Sequence, residues 1–253
     1  MKLIVGNWKM YPRTFGEAKK IVVRLKSETK KVRRAKIVIC PPMLFVYPLI
    51  AFTKNSSVSV GAQNAFMFDE GAYTGETSPA SLRRIGATHV IVGHSERRAL
   101  GEDDGVVAKK AITAAKNGLA VILCVGEAAR DEGGAYFTEV GKELRASLFG
   151  FPKSEIKRLA VAYEPIWAIG ASAARAATPE DFREMSVFIR RNLVDRFGKK
   201  DGFAIPILYG GSVDEKNAVG FLGEGGADGL LVGRASLDPK KFSAIIHAAA
   251  EIR

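Results

Sequence analysis

Eight short apolar runs, the helix-like segments between them, and a length of 253 residues together predict an α/β chain folded as a single (β/α)8 barrel, an architecture of about that size. The runs lie at residues 3–5, 37–40, 58–62, 89–92, 120–125, 159–162, 205–209 and 229–232. Most are continuous Val, Ile, Leu and Ala rather than alternating, which suits strands covered on both faces in a parallel sheet. A doubly wound open sheet would usually carry a Gly-rich dinucleotide turn after an early strand. Here Gly6 leads to Asn7-Trp8-Lys9 instead.

The helices follow from spacing and from their ends. Residues 14–30 place Phe15, Ala18, Val22 and Leu25 near helical spacing. Residues 103–117 stop before Gly118, a favourable terminator. Thr178-Pro179-Glu180-Asp181 reads as a cap, a first-turn proline and acidic first-turn residues, opening a helix to about Arg196. Asp238-Pro239 opens the last helix in the same way. Residues 42–53, 78–84, 136–148 and 214–221 fill the remaining gaps.

Composition narrows the function. The chain is 47% hydrophobic, enough for a large core, and no run approaches the length of a membrane span. The apolar start at residues 3–5 is too short for a signal peptide. Cys40 and Cys124 sit in apolar runs, so buried thiols in a reducing compartment are expected, and metal-ligand spacing is absent. The net charge is +11. Its densest cluster, Lys30-Lys31-Val32-Arg33-Arg34-Ala35-Lys36, has no interleaved aromatics to stack bases, which argues against nucleic acid as a partner. Because that cluster precedes a strand, it belongs at the end of a barrel opposite the active site.

Barrel enzymes carry their chemistry where the strands end. The polar groups of this chain collect there. Asn7 and Lys9 follow the first run, Gln63 and Asn64 the third, His94, Ser95 and Glu96 the fourth, and Glu127 the fifth. Glu164 follows the sixth, Gly210-Gly211-Ser212 the seventh and Gly233-Arg234 the eighth. Glu164 opens an apolar loop, Pro165-Ile166-Trp167-Ala168-Ile169-Gly170. A carboxylate that such a loop can cover suits a general base, since excluding water raises its basicity.

The pieces Gly6-Asn7-Trp8-Lys9-Met10, Ala62-Gln63-Asn64, Gly71-Ala72-Tyr73-Thr74-Gly75-Glu76, Gly93-His94-Ser95-Glu96-Arg97-Arg98, Cys124-Val125-Gly126-Glu127, Ala162-Tyr163-Glu164-Pro165-Ile166-Trp167, Tyr209-Gly210-Gly211-Ser212 and Leu231-Val232-Gly233 occur in that order. In that order they resemble the triosephosphate isomerase family along essentially the whole chain. The resemblance implies one TIM barrel over residues 1–253, in the cytoplasm, with no cofactor. It implies interconversion of dihydroxyacetone phosphate and glyceraldehyde 3-phosphate in glycolysis and gluconeogenesis.

Residue by residue, the resemblance makes Glu164 the base, His94 the electrophile and Lys9 the cation that offsets developing charge. Asn7 orients the substrate oxygens or Lys9, and Glu96 supports them. The phosphate falls to backbone N–H groups of Gly170, Ser212, Gly233 and Arg234, with Gly210 and Gly211 shaping the turn. Pro165, Ile166, Trp167, Ala168, Ile169, Ala171 and Ser172 belong to a closing lid over residues 165–178, latched by Tyr209 and Ser212.

The long loop at residues 66–76 would enter a second subunit, placing Thr74 near the partner's active site, with Glu76 and Arg97 as an interface ion pair. A homodimer follows, with pairing into tetramers left open. The chain departs from the family pattern at Ala171-Ser172-Ala173-Ala174-Arg175-Ala176-Ala177, which lacks Thr-Gly-Lys and adds two residues, and at Arg234 where the family carries Gly. Two readings compete: a phosphate-binding barrel acting on another phosphorylated sugar, against which the set Asn7, Lys9, His94 and Glu164 argues, and a non-catalytic scaffold or anion-binding barrel, supported only by the changed lid.

Overall fold

The eight apolar runs become eight parallel strands, β1 (Lys2–Asn7), β2 (Ala35–Cys40), β3 (Val58–Ala62), β4 (His89–Val92), β5 (Ala120–Val125), β6 (Leu159–Tyr163), β7 (Ile207–Tyr209) and β8 (Gly229–Val232), which close into a barrel in sequence order. Closure is made by β1, which pairs with both β2 and β8. The structure, a computed structural model, describes residues 1–169 and 175–252.

The lack of alternation in the strands has its reason in the packing. One set of strand side chains, including Val5, Val38, Ile91, Ile122, Cys124, Ala162, Leu208 and Leu231, fills the barrel interior. The intervening set packs outward beneath the helices. Both faces are dry, so both must be apolar. The two cysteines are buried free thiols.

The helices are α1 (Phe15–Glu28), α2 (Met43–Thr53), α3 (Pro79–Ile85), α4 (Ser95–Ala99), α5 (Asp104–Lys116), α6 (Ala135–Ser147), α7 (Pro179–Phe197), α8 (Lys199–Ala204), α9 (Ala218–Leu222) and α10 (Pro239–Glu251). The expected caps are formed. Thr178 and Asp181 make a reciprocal capping box, and Asp238 accepts from Lys240 and Lys241.

Three boundaries differ from expectation, each for a local reason. The helix expected over 214–221 starts only at Ala218, because the Asp214 carboxylate accepts from the Lys216 and Asn217 backbones and Asn217 caps Asp214 in return. Strand β7 starts at Ile207, after Pro206, which has no N–H for the ladder. Helix α8 has no counterpart among the expected helices. Gly198, at φ 89°, ends α7 so that a new helix can start, and Gly202 lets it lie directly against the Val194 backbone.

The strands' carboxyl ends all point to one face. Lys30–Lys36 leads into β2 at its start and so stands at the opposite face, as expected. No helix among the described residues is long and apolar enough to cross a membrane.

Candidate active site

Glu164 is set by the barrel. Its N–H continues the ladder by donating to Val125 O at 2.8 Å. A Cβ at Gly126 would land on the Glu164 carbonyl oxygen, so a glycine is what lets the ends of β5 and β6 close together. The carboxylate is 2% exposed and held at two points. Its Oε2 accepts the Ser95 N–H at 2.9 Å, and its Oε1 lies 3.0 Å from His94 Nε2.

His94 caps α4, and its Nδ1 accepts the Glu96 N–H at 3.2 Å. A nitrogen that accepts carries no proton. The ring is therefore the neutral tautomer with its proton on Nε2, facing the carboxylate. One N–H cannot serve both Glu164 and an incoming carbonyl, so the carboxylate must leave His94 before that ring can polarise a substrate.

Lys9 stands across the site. Its backbone is left-handed at φ 51°, a conformation a non-glycine adopts only when its surroundings impose it. Asn7 Oδ1 accepts the Lys9 N–H at 3.1 Å, and Gln63 Nε2 donates to Lys9 O at 2.8 Å and to Cys40 O. Asn7 thus shapes Lys9 itself. Gln63 shares that task, a role its position after the third run did not disclose. Lys9 Nζ meets Glu96 Oε1 at 2.6 Å. The result is a carboxylate, a neutral imidazole donor and an ammonium around one opening.

The glycines border the same opening. A Cβ at Gly210 would press on Glu164 Cγ at 3.1 Å, and one at Gly233 would stand 4.0 Å from Lys9 Cε. Gly211 gives room to the Tyr209 hydroxyl. The Tyr209 ring is buried and stacked on Phe221 at 3.7 Å, and burial pushes its hydroxyl pKa up. Ser212 Oγ donates to Ala168 O at 3.1 Å, joining the β7 loop to the 3₁₀ turn Ile166–Ala168 that carries Trp167. Arg234 is exposed, and among the described residues its side chain has no ion-pair or hydrogen-bond partner. Gly170, Ala171 and Ser172 lie outside the described residues. Pro165 and Ile169 flank the Ile166–Ala168 turn, Ile169 donating to Ile166 O.

A group of charged residues unassigned by the sequence reading braces Trp167. Glu127 is fully buried. Its Oε1 accepts from the Tyr163 hydroxyl (2.6 Å), from Trp167 Nε1 (2.8 Å) and from Arg130 Nε (3.2 Å). Arg130 also reaches Asp181 and Glu184, and its guanidinium lies 5.3 Å from the Trp167 ring centre. Arg175, inside the segment that departs from the family pattern, lies 4.6 Å over the same ring and makes a forked pair with Asp181. Arg175 beside it holds the Asp181 carboxyl below the usual range. The ends of residues 165–178 are thereby tied together at one indole. The only forecast of this was Glu127's place after a strand.

The loop at residues 66–76 folds on itself. Phe66, Phe68 and Tyr73 pack as one aromatic cluster, with Phe68 and Tyr73 stacked at 5.2 Å. Its root is tied to α5 by Thr113 donating to Met67 O and by Asn117 donating to Asp69. Its tip, including Thr74 and Glu76, is exposed, and Tyr73 is 44% exposed. Within one chain Arg97 pairs with Glu102 rather than Glu76, and Lys110 meets the same Glu102 oxygen, Oε1. Among the described residues no group of three or more His, Cys, Asp or Glu is placed to hold a metal ion.

Fold and site together define a (β/α)8 barrel with acid–base groups gathered at the carboxyl ends of its strands. The family model described as "Triosephosphate isomerase" matches residues 2–249. The chain is 42% identical to the triosephosphate isomerase of Moorella thermoacetica over 97% of each chain. It is 40% identical to that of Caldanaerobacter subterraneus over 97% of this chain and 98% of the relative. The chain belongs to the triosephosphate isomerase family.

Proposed function

We propose that this chain, as one catalytic barrel, interconverts dihydroxyacetone phosphate and glyceraldehyde 3-phosphate in central carbon metabolism, without a cofactor. The observation that carries the reading is the juxtaposition of Glu164 with a His94 ring whose only N–H is at Nε2.

Substrate displaces the carboxylate from His94. Glu164 then takes the proton from the carbon beside the carbonyl while His94 Nε2–H bonds the carbonyl oxygen. An enediolate forms whose negative oxygen faces Lys9. Glu164, now protonated, returns the proton to the neighbouring carbon, while the hydroxyl proton passes from its oxygen to the former carbonyl oxygen by way of His94 Nε2, so that carbonyl and hydroxyl exchange places. A positioned base contributes about 10²–10⁴-fold, and preorganised donors add a further electrostatic share.

The substrate phosphate rests on N–H groups of Gly170, Ser212, Gly233 and Arg234. The residues around Trp167 close over it, held by Tyr209 and Ser212. The exposed aromatic loop, and Met10 and Tyr11 at 89% and 57% exposed, support a homodimer in which Thr74 approaches the partner's site and Glu76 meets the partner's Arg97. The protein acts in the cytoplasm.

The test is isomerisation in D2O. Deuterium on the product carbon, to the extent that Glu164 exchanges with solvent before returning its proton, is expected for wild type, and His94→Gln and Glu164→Gln are both expected to slow turnover. Turnover at the wild-type rate in folded Glu164→Gln would remove the proton-transfer reading.

A further inference from the structure

The opposite mouth of the barrel holds a cavity of about 400 Å³ that the isomerase reading does not use. Its origin is the alternation along the strands. Ile91, Val38, Ile122 and Ala162 fill the interior, so His89, Lys36, Ala120 and Ala160, two residues earlier on the same strands, face the same way. Two alanines cannot plug a barrel of this width, and the floor stays open. The size is within the range of small-molecule sites.

The lining is chemically specific. Lys36, Lys153 and Lys157 border the cavity and have no ion-pair partner among the described residues. Arg158 is already committed to Glu155 and Gly118 O, and Asp201 is the carboxylate on the rim. His89 is 3% exposed. Thr88 Oγ1 lies 2.7 Å from His89 Nδ1, so Nδ1 is the partnered ring nitrogen. Nε2 has no partner among the described residues. Burial, reinforced by Lys36, pushes the ring's pKa down to about 3, so it stays neutral. An unpartnered imidazole nitrogen beside free ammonium groups suits a ligand with a negative group and a hydroxyl, which can donate to a ring nitrogen or accept from it.

We propose that this mouth binds a hydroxyl-bearing phosphate ester, its phosphate on Lys36, Lys153 and Lys157 and a hydroxyl hydrogen-bonded to His89 Nε2. The site is separated from the catalytic groups by the length of the strands and does not depend on the isomerase reading.

Glucose 6-phosphate is the probe, titrated into the full chain and followed by imidazole ¹⁵N NMR and calorimetry. The chain has three histidines, so His89 is assignable by substituting the other two. Saturable movement of the His89 Nε2 resonance is expected. Lys36→Ala should weaken binding about tenfold, the worth of one charged hydrogen bond, while isomerisation stays at the wild-type rate. Lys36 is exposed, so the variant keeps the fold. An unmoved resonance at millimolar probe, or equal affinity in Lys36→Ala, overturns the proposal. Inorganic phosphate producing the same His89 shift at the same affinity overturns the hydroxyl requirement.

Discussion

Arg130→Ala separates the buried half of the Trp167 support from its exposed half. The Arg130 side chain is 16% exposed and Glu127 beneath it is fully buried, with Oε2 already lacking a partner. Removing the guanidinium leaves a buried carboxylate with two neutral donors, Tyr163 and Trp167. Stripping one partner from a buried ion pair costs about 3–5 kcal/mol. In a chain of this length that lowers the melting temperature by about 6–20 °C. Arg175→Ala removes a pair whose arginine is 52% exposed and one ring contact, together about 1 kcal/mol. It should therefore melt close to wild type while making Trp167 easier for acrylamide to quench. The assay is thermal unfolding of both variants by circular dichroism, with fluorescence quenching alongside. Equal melting temperatures for the two variants would refute the argument that the buried guanidinium is the structural one.

Glu164→Asp retracts the carboxylate by one methylene and should lower kcat by about 10²-fold or more with little change in KM, since misplacement of about 1 Å costs that much; a near-wild-type kcat from steady-state kinetics removes Glu164 from the base role. Burial pushes the Glu143 carboxyl up to about 7 against the pull of Arg98. It is protonated in both states below about 4.5, so the folded state then loses up to about 3 kcal/mol as pH rises from 4.5 to 7, with no further change above. Glu143→Gln should flatten that slope in denaturant titrations, and an unchanged slope contradicts the assignment. Tyr73→Asp puts a charge on the exposed aromatic tip and should halve the mass seen by light scattering; an unchanged mass would locate the dimer contact elsewhere.

The barrel could be read from the sequence because strands dry on both faces show as unbroken Val, Ile and Leu, and because Thr178 and Asp238 announce their helices. Boundaries set by side chains turning on their own backbone, as at Asp214 and Asn217, carry no hydrophobic signal and were misplaced. At the site, the strand-end positions of Lys9, His94 and Glu164 were legible as a pattern. The groups that aim them were not. Gln63 reaches Lys9 across 54 residues and Arg130 reaches Asp181 across 51, pairings that only the closed barrel creates. The His94 tautomer likewise depends on where the Glu96 N–H lands. The open floor around His89 comes from two alanines whose meaning appears only once the strands share an interior.

The most direct test of the central claim is isomerisation of glyceraldehyde 3-phosphate by the purified protein, with Glu164→Ala measured beside it and its fold checked by circular dichroism. The account predicts rapid turnover by wild type and a loss of at least about 10²-fold in the folded variant. Comparable turnover by both, or none by folded wild type, would contradict it.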